Sequence, residues 1–151
     1  MPHAFTTTRR VEFAETDMAG IAHFSNFFRW MESAEHEFFR SLGFALHGEV
    51  DGRTVGFARV HASCDYRRPV RYQDLLEIRL AVTKKSSRSF AYAFRFHLKP
   101  EDAAADPEPI ATGELAVVCV ERPPAAPADV PLAASTIPDS LAARIEVAPV
   151  S

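Results

Sequence analysis

The chain has no apolar run longer than a few residues, so no segment is long enough to cross the roughly 30 Å hydrocarbon core of a bilayer as a helix. Its first residues, MPHAFTTTRRVEF, hold no apolar stretch ahead of a small-residue cleavage site, and no secretory signal is expected. A cytoplasmic location is the expectation that follows. Cysteine is scarce. Cys64 and Cys119 are too few for a disulfide scaffold, and both fall in apolar, strand-like runs that suit small buried hydrophobes. Basic excess is missing too: the formal net charge is −3. A nucleic-acid partner selects for cationic surface that neutralises phosphates, so that class is not expected, nor is a membrane partner. The six histidines are scattered without ligand spacing, and no metal site is expected. Phenylalanine is absent after Phe96, whereas nine of the eleven prolines lie at or after Pro100. The aromatic core is therefore expected from the first two thirds of the chain, with one strand and a Pro/Ala-rich tail to follow.

What is present is the length and balance of one soluble globular domain. The chain has 151 residues, 47% of them hydrophobic and 25% charged. We expect a single domain over 1–151, with its core at about 5–122 and a tail at 123–151. A first strand is expected from Phe5 to Phe13, where Phe5, Val11 and Phe13 share one parity and Thr6, Thr8, Arg10 and Glu12 the other. The strongest helix signal follows a loop at 14–23. Phe24, Phe27, Phe28, Met31, Ala34, Phe38 and Leu42 recur at three- and four-residue spacing, with Arg29, Glu32, Ser33, His36 and Arg40 opposite. Ser25 and Asn26 are candidate caps and Gly43 a candidate stop, which sets the helix at Ser25 to Leu42.

Further strands are expected at Thr54–Arg67, Leu75–Thr83, Phe90–Leu98 and Ile110–Val120. The apolar parity of the first shifts between Phe57 and Val60, a sign of a bulge. The last is apolar on both parities, as for a central strand covered on both sides. Lys84–Ser89 reads as a turn, 123–138 as irregular and Ser140–Val147 as a short final helix. One long helix must bury its apolar face on a sheet. The expected fold is α+β: an antiparallel five-stranded sheet curled around one central helix. The sheet's open face and edges call for a homodimer or homotetramer.

The chemistry is concentrated in Asp17-Met18-Ala19-Gly20-Ile21-Ala22-His23-Phe24-Ser25-Asn26. A carboxylate stands in a glycine-containing loop just before a long helix. A helix start carries unsatisfied N–H donors and partial positive charge, and it receives anions and developing oxyanions. Such a pairing suits hydrolysis of an activated acyl group, with the acid attacking the carbonyl or activating water. Asp17 capping the helix is the alternative, and on spacing alone it is the commoner role.

The run Phe13-Ala14-Glu15-Thr16-Asp17-Met18-Ala19-Gly20-Ile21-Ala22-His23-Phe24-Ser25-Asn26-Phe27-Phe28-Arg29-Trp30-Met31-Glu32 resembles the signature of hotdog-fold acyl-CoA thioesterases, most nearly the 4-hydroxybenzoyl-CoA thioesterase and YbgC-like group. Asp-x-x-Gly, Asn26-Phe27 and Trp30-Met31-Glu32 fall in register. Weaker similarity continues through Tyr66-Arg67-Arg68-Pro69-Val70 and Gln73-Asp74, so that the resemblance spans roughly Phe5 to Val120. It implies a hotdog fold and an active site at a dimer interface. The catalytic carboxylate falls on Asp17 and the oxyanion-binding backbone N–H on about Phe24.

This chain departs from many relatives at Phe24, at His23 and at Glu15, where an Asp is common. His23 is either a polar contact to the thioester or a loop histidine with a structural hydrogen bond. Lys84, Lys85 and Arg88 form one basic cluster and Arg67, Arg68 and Arg71 another. The first is favoured for the phosphates of coenzyme A, against the plainer reading of solvated turns. Glu32 and Glu35 are expected to face solvent or an interface, and Trp30 the core. Phe24, Phe27, Phe28 and Phe57 either line an aromatic pocket or belong to the core. Coenzyme A enters as part of the substrate, and no separate cofactor is expected. A hotdog dehydratase pairing His23 with Asp17 and a non-catalytic acyl-CoA-binding module are the competing readings.

Overall fold

The computed structural model describes residues 3–123 and 127–150. Strand β1 (Ala4–Arg10) leads through a 3-10 turn at Phe13–Glu15 and a loop into helix α1 (Asn26–Ser41). Then come β2 (Gly48–Val50), β3 (Arg53–Tyr66), β4 (Leu75–Lys85), β5 (Ser89–Leu98), β6 (Glu108–Glu121), β7 (Ala133–Ala134) and a single helical turn, α2 (Asp139–Ala142). All pairings are antiparallel, in the order β1-β4-β5-β6-β3-β2, with β7 added beside β6. The hotdog architecture is therefore the expected one. The sheet has seven strands rather than five because β2 and β7, two or three residues each, are too short to show a period.

The helix periodicity has a direct physical outcome. Phe27, Trp30, Met31, Ala34, Phe38 and Phe39 are buried against the concave face of the sheet. They meet one parity from each long strand, including Leu76, Ile78 and Leu80 of β4 and Tyr92, Phe94 and Phe96 of β5. A large side chain moved from water into such a core stabilises by about 1.5–3 kcal/mol. Phe39 packs edge-on to Phe57 and Phe90, at centroid distances of 5.5 and 6.4 Å. The helix lies so near β6 that a Cβ on Gly113 would stand 2.5 Å from Met31 Sδ, and the Met31 side chain would have to shift to admit it.

Several expectations need correction. The first strand stops at Arg10, and Phe13 is 75% exposed in the 3-10 turn, edge-on to Tyr72. Two alternating residues past the strand end mimic its period without sharing its pairing. β3 does bulge, at Val60, between Arg59 and His61. β6 is covered by the helix on one face only; Val118 and Val120 on the other are half-buried. Lys84 and Lys85 belong to the end of β4, not to the turn.

The tail departs furthest from its irregular reading. Its helix is one turn, yet Ile137, Leu141 and Ile145 are buried in the core. Arg53 donates to Ser135 Oγ at 2.6 Å and to the Thr136 carbonyl at 2.7 Å, while pairing with Glu121 at 3.1 Å. Lys85 Nζ donates to the carbonyls of Ala142 and Ile145 at 2.6 and 2.8 Å.

Glu35, expected at solvent or an interface, is 0% exposed. Arg59 Nη2 stands 2.6 Å from its Oε1, and the Tyr92 hydroxyl faces the same carboxylate. Burial pushes the Glu35 carboxyl above its ordinary value, with Arg59 opposing that shift. Arg59 also reaches the exposed Glu32 at 3.3 Å.

Candidate active site

The Asp17 loop is closed by its own backbone. Asp17 N–H donates to the Ile21 carbonyl and Gly20 N–H to the Asp17 carbonyl, both at 2.9 Å. Gly20 sits at φ +79°, a left-handed conformation that glycine adopts without strain. Ala22 N–H donates to Val70 O at 2.8 Å, which fastens the loop to the segment after β3. Asp17 Oδ1 accepts Ala19 N–H at 2.8 Å. Its Oδ2 accepts no hydrogen bond among the described residues.

Glu15 joins this loop to the helix. Its Oε2 accepts the Trp30 indole N–H at 2.7 Å and its Oε1 the Glu12 N–H at 2.8 Å, with Arg9 at 3.6 Å. The Glu15 carbonyl accepts both Asn26 Nδ2 and His23 N–H, each at 2.8 Å. The spacing of Glu15, Asn26 and Trp30 is thereby explained: they close one hydrogen-bonded bracket around the helix start. Sequence reasoning noted all three residues and assigned none of them this role.

The bracket leaves one donor unspent. His23 N–H goes to Glu15, Ser25 N–H to His23 Nδ1 at 3.3 Å, and Asn26 N–H to the His23 carbonyl at 3.0 Å. Phe24 N–H donates to no acceptor among the described residues. Phe24 and Asp17 line one cleft of about 440 Å³, together with Phe27, Tyr66, Arg67 and Arg68. The cleft is built from the Asp17 loop, the start of α1 and the segment that runs from the end of β3 to Val70. The helix start and Arg67 add positive charge to it. Arg68 is paired with Glu108, and Arg67 has no ion pair among the described residues.

Other residues fall elsewhere. His23 does not line the cleft; its Nδ1 lies 2.7 Å from Ser25 Oγ and its ring lies tilted against Phe24, centroids 4.5 Å apart. No hydrogen bond joins it to Asp17. Lys84, Lys85 and Arg88 do not line the cleft either, and the Lys85 ammonium is committed to the tail. Among the four phenylalanines, Phe24 and Phe27 reach the cleft, whereas Phe57 packs on Phe39 and Phe90. Tyr66 carries a role that sequence reasoning missed: its hydroxyl donates to the Phe24 carbonyl at 3.0 Å.

A curled antiparallel sheet around one long helix is the architecture of the hotdog-fold thioester hydrolases, and this chain is an enzyme of that class. It belongs to the Thioesterase superfamily, whose family model matches residues 19–105. An Aquifex aeolicus (strain VF5) protein bearing an esterase name is 37% identical over 100 residues, covering 66% of this chain and 76% of its own. A 1,4-dihydroxy-2-naphthoyl-CoA hydrolase of Synechococcus sp. (strain CC9311) is 34% identical over 109 residues, covering 68% of this chain and 72% of its own. Among solved structures, a gentisyl-coenzyme A thioesterase superposes with a TM-score of 0.74 at 28% identity, covering 91% of this chain and 99% of its own.

Proposed function

We propose that the protein hydrolyses an aromatic acyl-CoA to the free acid and coenzyme A, with Asp17 as the reacting carboxylate and Phe24 N–H as the oxyanion donor. One observation carries this reading: Asp17, with one carboxylate oxygen unpartnered, and Phe24, whose N–H has no acceptor among the described residues, are lining residues of the same cleft. The thioester carbonyl oxygen rests on Phe24 N–H, where the helix start stabilises charge that develops only in the transition state. Asp17 then acts on the carbonyl carbon in one of two ways. As nucleophile it forms a mixed anhydride that water cleaves; as general base it takes a proton from the attacking water. In both, the carbon–sulfur bond breaks, the thiolate collects a proton and a carboxylate is left. Phe24, Phe27 and Tyr66 offer aromatic surface to the acyl group, in keeping with the aromatic acyl groups in the relatives' names.

A second copy of the chain completes this site in our reading. The outer edge of β3 pairs with β2 only through Arg53–Val55, and the backbone beyond it is bare, with Val60 63% exposed. Self-pairing of that edge about a twofold axis satisfies it. None of Lys84, Lys85 and Arg88 lines the cleft of its own chain, and the Lys85 ammonium is held by the tail, so in this reading it is Lys84 and Arg88 that would meet coenzyme A phosphates, from across that interface. Sedimentation at micromolar concentration is expected to give a dimer or tetramer; a monomer would remove the interface.

The test of the reaction is thiol release over a panel of aromatic and aliphatic acyl-CoAs, with wild type and Asp17→Ala. We expect turnover on aryl thioesters and a loss of about 10²- to 10⁴-fold in the variant. A single turnover in ¹⁸O-water separates the two roles: label that enters the Asp17 side chain marks the nucleophile. Loss of water from a hydroxyacyl thioester, with no thiol released, would instead support the dehydratase.

A further inference from the structure

We infer that Tyr66 is a positioning residue for the oxyanion site: its hydroxyl holds the Phe24 carbonyl and so aims the neighbouring Phe24 N–H into the cleft. The inference rests on the thioesterase reading above and names a part that neither the family signature nor the helix start supplies.

The start of α1 lacks an ordinary cap. Ser25 is itself in a helical conformation and makes no side-chain capping bond. The Phe24 carbonyl accepts Phe27 N–H at 3.2 Å, a three-residue closure tighter than the helix that follows. Tyr66, at the end of β3, adds a second donor to that carbonyl at 3.0 Å. Its ring also lies edge-on to Phe27 at 5.1 Å and to Phe24 at 6.5 Å. Phe24 is thus held from three sides, by the Tyr66 hydroxyl, the Tyr66 ring and the His23 ring tilted against it at 4.5 Å. The one backbone group left over is its N–H.

Tyr66 is 44% exposed and lines the cleft, so it stands where reaction occurs. Burial of the hydroxyl pushes its pKa up to about 12, which keeps it protonated through the neutral range. It serves as a fixed donor dipole and not as a proton source.

The experiment is Tyr66→Phe, which keeps the ring and its edge contacts and removes the oxygen. We expect kcat on an aryl-CoA to fall about tenfold, the scale of one transition-state hydrogen bond, with KM within about twofold of wild type. The kcat/KM profile between pH 6 and 9 keeps its shape, since the Tyr66 hydroxyl stays protonated throughout that range. The melting temperature is measured alongside. An unchanged kcat, a rise in KM at constant kcat, or an altered pH limb would overturn the positioning role. Those failures differ from failure of the thioesterase reading, which shows as a wild type that releases no thiol from any acyl-CoA and takes this inference down with it.

Discussion

Helix α1 meets polar groups at two places, and the chain treats them in opposite ways. At its start Asp17 and Phe24 line an open cleft, and Asp17 Oδ2 and Phe24 N–H have no hydrogen-bond partner among the described residues. Further along, Glu35 is sealed from water and faced by Arg59 and Tyr92. Removing a carboxylate from water costs several kcal/mol unless a countercharge offsets it. At Glu35 the protein supplies that countercharge itself. At Asp17 it supplies only one backbone N–H and leaves the rest of the hydrogen-bonding capacity to whatever enters. Buried charge by itself therefore does not locate the chemistry of this molecule. Capacity left unspent beside a cavity is what marks the Asp17 end of the helix as the proposed site.

Asp17→Ala gives the sharpest contrast. Its expected loss of about 10²- to 10⁴-fold in turnover should come with a melting temperature close to wild type, because the carboxylate makes a single intramolecular hydrogen bond. A variant that unfolds would place Asp17 with Glu35 as a structural acid. Arg59→Met should do the reverse. It leaves the Glu35 carboxyl buried without its cation, and we expect a loss of about 3–5 kcal/mol in urea denaturation, the scale for breaking a buried pair. Stability within about 1 kcal/mol of wild type would mean that the mid-helix acid is already neutral.

The smallest effect is one of pH. The folded-state pKa of Glu35 is raised, so its contribution to stability is fully present below the unfolded value near 4.5 and falls away as pH rises through the folded value. Glu35→Gln removes that titration. Thermal melts from pH 4.5 upward should show wild type losing stability relative to the variant. Parallel curves for the two proteins would refute the raised value. The Tyr92 hydroxyl, pushed well above its ordinary range by burial and by Glu35, adds no titration of its own there.

Much of the frame was legible in the residues. The helix expected from Ser25 to Leu42 declares itself because its apolar positions repeat with the helical period, and its bounds lie within one residue of the observed ones at each end. The long strands follow from parity in the same way. The pairing of Asp17 with Phe24 was different: on spacing alone a capping aspartate is the commoner reading, and the catalytic one came from the family resemblance. Glu35 was misread because a charged residue on a helix usually marks the solvent face. Its partner Arg59 lies on β3, and no local pattern reports a contact that distant in sequence. The cleft position of Arg67 and Arg68 was obscure for a like reason. A cationic turn looks the same whether it edges a cavity or open water, and only the loop's tie to Val70 decides.

The tail has a further consequence, for the order in which the molecule can be made. Ile137, Leu141 and Ile145 are core side chains, yet they follow every long strand in the chain. A ribosome that has released the whole sheet has still not delivered them. Until it does, Lys85 has no carbonyls to grip, and the sheet has a bare apolar end. Synthesis and folding are thus coupled through the tail: the core closes only when residues up to Ile145 have emerged, and a chain stalled before that point carries an exposed sticky surface for chaperones to shield.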